Sequence, residues 1–155
     1  MAPIFEAMRE KVLLAIEVRL QKEEGEAKER LASLQDALGA ESKSSAGDKH
    51  ETGRAMIHRE MELVEETRAR TQTAQETLKK IQAASLPVSG MHMGALVETT
   101  GPWVFVGIPM GKLQLGEDVV LCVGPSAPIV KVWGGIKEGD EVSLGLNRLT
   151  ILGHH

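Results

Sequence analysis

Apolar residues in the first half of the chain recur every three or four positions. Phe5, Met8, Val12, Ile16 and Leu20 form one stripe, and Ala27, Leu31, Leu34 and Leu38 resume it. A second run carries Ile57, Met61, Val64, Thr71, Leu78 and Ile81 near a heptad spacing, with polar entries in the middle. Each run is narrow on its apolar side and charged elsewhere, and proline is missing after Pro3 until Pro87. Two long helices are therefore predicted between Ile4 and about Ile81. They bury their seams most economically against each other, and the short connection from Gly39 to Gly47 makes them antiparallel neighbours. At roughly 1.5 Å per residue, about 36 residues give an arm on the order of 50 Å long. Between the two stripes of the first run, Gln21-Lys22-Glu23-Glu24-Gly25-Glu26 interrupts the seam, and a helical glycine costs about 1 kcal/mol relative to alanine, so a weak or bent place is expected near Gly25.

The pattern changes at Ser85-Leu86-Pro87-Val88-Ser89-Gly90, where proline stops a helix and serine and glycine favour a linker. Beyond it, short β-type runs alternate with glycine turns. Strands are predicted at Ala95–Thr99, Trp103–Ile108, Val119–Val123, Glu141–Leu144 and Leu149–Leu152. The segment Ala127-Pro128-Ile129-Val130-Lys131-Val132-Trp133 reads both ways: its β-branched residues fit a strand, and its early proline fits one or two helical turns. The fold class is α+β. The expected organisation is a coiled-coil hairpin over 1–84 with its tip at 42–53, a linker over 85–93 and a small β-rich domain over 94–153. His154 and His155 are read as the remains of a purification tag and are assigned no role.

Composition narrows the chemistry. The chain has 155 residues and a formal net charge of −4, which argues against free binding to nucleic acid through a basic surface. The single cysteine, Cys122, lies in an apolar run and reads as a buried structural thiol. No apolar stretch approaches about 18 residues, so a soluble, cytoplasmic protein without membrane contact is expected. Phosphate-binding loops, dinucleotide fingerprints and zinc-ligand clusters are not visible in the sequence, and a self-contained enzyme is not expected. His50 and His58 are too far apart for a local chelate, and Met91-His92-Met93 reads as core packing at the entry to the β domain. Arg68, Arg70, Lys79 and Lys80 read as a solvated helix face. Trp103 and Trp133 read as core, although an exposed Trp133 would instead offer a docking surface.

The tip holds Gly47-Asp48-Lys49-His50-Glu51-Thr52-Gly53-Arg54-Ala55. If Asp48 opens the outgoing helix, Asp48 and Glu51 lie within one turn, and two oxygen donors that close can share a hard cation. The same spacing is also a capping box, with Glu51 reaching back to a free backbone N–H.

Two stretches resemble the bacterial Gre transcript-cleavage factors. The run from Ala127 to Val142 looks like the family's S-P-[IL]-G-[KR]-A-L-L-G-K-K-x-G-D-x-V stretch without a gap, and Leu146–Leu152 resembles its closing N-G-R-x-Y-x-I strand, shorter by a residue. At the tip the family carries G-D-L-S-E-N-A-E-Y, and Gly47, Asp48 and Glu51 match it in place. The resemblance implies an FKBP-like C-terminal domain whose ambiguous segment is a short helix. It also implies binding to RNA polymerase, with the coiled coil inserted through the secondary channel and near the 3′ end of nascent RNA. There Asp48 and Glu51 would help hold a Mg²⁺ ion shared with the polymerase, which activates water to cut backtracked RNA; the factor alone would bind that ion weakly. Lys49, His50 and Arg54 stand where the family has other residues, and are candidates for contact with RNA phosphate or a polymerase acid. Trp133, Lys131 and Lys137 are the candidate polymerase-docking set. A monomer is expected. Two rival readings remain: a channel regulator that does not cleave, its tip acids neutralised by the neighbouring basic groups, and an oligomeric coiled-coil scaffold whose β domain binds a ligand.

Overall fold

A computed structural model describes residues 3–43, 48–84 and 90–155, without the side chains of residues 42, 43 and 48–50. Two long helices, α1 (Pro3–Lys43) and α2 (Asp48–Ala83), precede strands β1 (Leu96–Thr99), β2 (Trp103–Val106), β3 (Gly111–Leu115) and β4 (Asp118–Val123), a short helix α3 (Pro128–Trp133), and strands β5 (Glu141–Leu144) and β6 (Asn147–His154). No described helix is long and apolar enough to cross a membrane. Contacts group the chain into two units, one made of residues 18–75 and the other of residues 1–17 with 76–155. The division thus falls inside both helices.

In the helical unit, α1 and α2 pack against each other. Cross-helix partners show the direction: Arg30 meets Glu60, Glu24 meets Arg68, and Glu23 meets Thr71, so partners descend on α2 as they ascend on α1. The helices are antiparallel and pair within one chain. Leu20, Ala27 and Leu34 are buried on α1, while Ile57, Met61 and Val64 on α2 are half-buried. Gly25 does not break α1, because the i→i−4 bonding on either side continues through it at the modest cost of one glycine.

In the other unit, six strands form a sheet in the order β3-β4-β2-β1-β6-β5, antiparallel except for β2 beside β4. The register sorts side chains onto two faces, because successive residues of a strand alternate. Trp103 pairs with Val120 and Phe105 with Cys122 on one face; Val104 pairs with Leu121 and Val106 with Val123 on the other. The base of α1 serves the first face, where the Phe5 ring meets Trp103 edge-on with centroids 5.4 Å apart. On the second face, Val97, Val104, Leu149 and Ile151 form a buried cluster with Trp133 and Ile136. Cys122 is buried, as its apolar run predicts.

The segment with two readings is helical. Pro128 takes the first helical position, where its missing N–H costs nothing, and Ala127 before it is extended. After α3, the Asp140 carboxylate accepts a hydrogen bond from the Lys137 backbone N–H at 2.8 Å and closes the turn into β5. Two hairpins share one turn chemistry. Gly116 (φ 64°) and Gly145 (φ 63°) lead two-residue loops whose second residues, Glu117 and Leu146, keep negative φ, which defines type II′ turns that need glycine first.

Strand β3 is absent from the sequence-based prediction, and β6 runs longer than predicted. Its last residues are tied in: His155 exchanges backbone hydrogen bonds with Leu96 at 2.8 and 2.9 Å. Arg9 on α1 donates to the carbonyl oxygens of Gly94 and His155, the latter at 2.8 Å, and its guanidinium lies 3.2 Å from His155 Nδ1. Burial at this spot lowers the pKa of Arg9. The two terminal histidines, assigned no role from sequence, are therefore part of the sheet.

Candidate functional site

The tip is built by the end of α1 and the start of α2. Asp48 is the first residue of α2, as the two-acid reading requires. The side chains of Asp48, Lys49 and His50 lie outside the described residues, as does Gly47, so their share of the site is not part of this geometry. Glu51, one turn into α2, is exposed, and among the described residues it has no hydrogen-bond or ion-pair partner. A capping box would tie this carboxylate to a backbone N–H at the helix start. The helix start it would reach borders residues outside the described set, and no described residue ties Glu51 down. Arg54 is exposed as well.

A third acid borders the tip. The Glu41 carboxylate, near the end of α1, lies over Gly53 of α2: a Cβ built on Gly53 would stand 3.2 Å from Glu41 Oε1 and 3.5 Å from Oε2. No pattern in the sequence marks this approach, since it depends on how the two helices are paired.

Below the tip, the apolar seam gives way to a polar layer. Glu24 is largely buried; its Oε1 accepts from Arg68 Nε at 3.0 Å and lies 3.7 Å from Lys28 Nζ, while its Oε2 is buried without a partner. The Thr71 hydroxyl bonds the Thr67 carbonyl at 3.0 Å and lies 3.5 Å from Glu23 Oε2. This corrects the reading of Arg68 as part of a solvated face: it is half-buried and holds an acid of the opposite helix. Arg70, Lys79 and Lys80 are exposed as expected.

In the sheet's unit, the docking set separates. Lys131 and Lys137 are exposed, but Trp133 is only 2% exposed, and its indole N–H donates to the Ser143 carbonyl of β5 at 3.2 Å. The indole fills the core beneath α3 and offers no docking surface, because this face of a six-residue helix is the one turned toward the sheet. The apolar side chain that α3 does present to solvent is Val132, at 77% exposure.

Among the described residues, no group of three or more His, Cys, Asp or Glu side chains is placed to hold a metal ion. Met91 packs on the core cluster, and His92 Nδ1 donates to the Met93 carbonyl at 2.9 Å. Set against known proteins, the chain matches no family model and no curated protein.

Proposed function

We propose that this chain is a Gre-like factor that binds RNA polymerase, inserts its helical hairpin into the secondary channel and stimulates cleavage of backtracked RNA near its 3′ end. In this reading the sheet with α3 is the FKBP-like domain that docks on the enzyme through Lys131 and Lys137, and the chain works as a cytoplasmic monomer. The observation that carries the proposal is Glu51: an exposed carboxylate on the first turn of α2, three residues after Asp48 and tied to no described residue. The hard oxygen donors of Asp48 and Glu51 suit Mg²⁺, which retains water and accepts a few carboxylates alongside ligands from elsewhere. Two acids do not make a closed cage, so the polymerase supplies the other ligands and does the chemistry. When bound, the ion supplies an activated water for phosphodiester hydrolysis.

The test is a stalled, backtracked polymerase complex given Mg²⁺ and the purified chain. Shortened RNA is expected, with Asp48→Ala and Glu51→Ala each lowering its rate about tenfold or more, about 1.4 kcal/mol per factor of ten. Retention of both variants on polymerase is expected to stay unchanged. Binding without shortened RNA would replace the proposal by the non-cleaving channel regulator, and no binding would remove both.

A further inference from the structure

We propose that the Glu24–Arg68 pair, with Glu23 and Thr71 beside it, is a register lock that fixes how far α1 and α2 slide past each other. Because the tip is made from the end of one helix and the start of the other, this pair would set where Asp48 and Glu51 are presented; that consequence rests on the function proposed above.

The seam around the pair is permissive. On α2 the apolar residues Ile57, Met61 and Val64 are only half-buried, so shallow packing discriminates weakly between alignments. Packing also fails to close at this level, where an open groove of about 290 Å³ runs along Glu23, Ala27, Arg30, Leu63 and Thr67. A slip of one heptad would move the helices by about 10 Å and still place apolar residues opposite one another.

Glu24 is the group that such a slip satisfies least. Its side chain is 17% exposed, one oxygen is already buried without a partner, and the other takes its one hydrogen bond across the seam from Arg68, with Lys28 of the same helix at 3.7 Å. Any register that separates the two leaves the partly buried Glu24 with only the looser 3.7 Å contact to Lys28 of its own helix, and Arg68 without its acid, which costs more than the pair itself is stabilising. The pair Arg30–Glu60 differs, since both of its side chains are about half exposed (53% and 48%) and either can turn to water in a shifted register. A buried polar contact of this kind gives up stability in exchange for a single alignment, as polar residues at seam positions do in coiled coils.

The test measures alignment directly. Nitroxide labels at Asp36→Cys and Met56→Cys, exposed positions on α1 and α2, are placed in a Cys122→Ala background and their separation is read by double electron–electron resonance. The parent is expected to show one distance. Glu24→Leu with Arg68→Leu is expected to add populations displaced by about one helical turn or one heptad, about 5 or 10 Å, and to cut polymerase cleavage. The exchange Glu24→Arg with Arg68→Glu is expected to restore one distance. Should the double leucine variant not fold, Glu24→Gln with Arg68→Gln removes the charges at similar volume and is read in the same way. One unchanged distance in either charge-free variant overturns the lock. Shifted distances in a protein whose parent never cleaves RNA uphold the lock and overturn the proposed use of the tip.

Discussion

Gly153→Ala tests how tightly the base of α1 is seated on the sheet. Gly153 lies in β6 with φ outside the left-handed region, so alanine meets no backbone objection there. Its new methyl group would stand 2.9 Å from Phe5 Cζ and 3.3 Å from Cε2. The ring cannot simply retreat, because its other contacts are the Trp103 edge at 5.4 Å and the His155 ring stacked at 6.2 Å. Forcing one methyl group into a packed site costs about 1–3 kcal/mol, and the stiffer unfolded chain returns about 0.4–1 kcal/mol. The net loss is about 0.5–2 kcal/mol, or about 1–8 °C in melting temperature at roughly 2–4 °C per kcal/mol for a chain of this size. Thermal and urea unfolding followed by circular dichroism would measure it. Phe5→Leu supplies the control, since with the ring gone the alanine is expected to be neutral or mildly stabilising. A Gly153→Ala protein that melts at or above the parent temperature with Phe5 intact would refute the seating.

Two further substitutions probe other parts of the fold. At Gly25 a Cβ meets nothing within 4 Å, so Gly25→Ala is expected to raise stability by about 0.8–1.0 kcal/mol, visible as a higher urea midpoint at unchanged slope. Trp133→Ala empties a buried site and removes the hydrogen bond to Ser143, and a loss of about 3–5 kcal/mol is expected by urea unfolding. A near-neutral Trp133→Ala would return the indole to the surface.

The helices were legible because their signal is local and repeated: Met8, Val12, Ile16, Leu20, Ala27 and Leu34 are buried where their spacing puts them, and α2 opens at Asp48. The short helix after Ala127 was legible only with the family resemblance, since Ile129, Val130 and Val132 favour a strand by themselves. Strand β3 escaped because it is an edge strand with one buried residue, Leu113, and polar Lys112 and Gln114 on its other face; edges are protected by such residues, which blurs their alternation. Trp133 could be read as core or as docking surface, because six helical residues do not reveal which side meets the sheet. Arg68 was misplaced for a different reason. Its partner lies 44 positions away on another helix, and no spacing rule along α2 points to it.

The seating of α1 also bears on how the chain is made. Phe5 and Arg9 leave the ribosome long before the groups they meet, Gly153 in β6 and His155 just after it. Residues 18–75 can pair as soon as both helices are out, whereas the remaining unit stays open until β6 has emerged. During that interval Met8, Val12 and the β2 run Trp103–Val106 lack their final cover, and nascent chains stalled before β6 emerges are the species most exposed to aggregation.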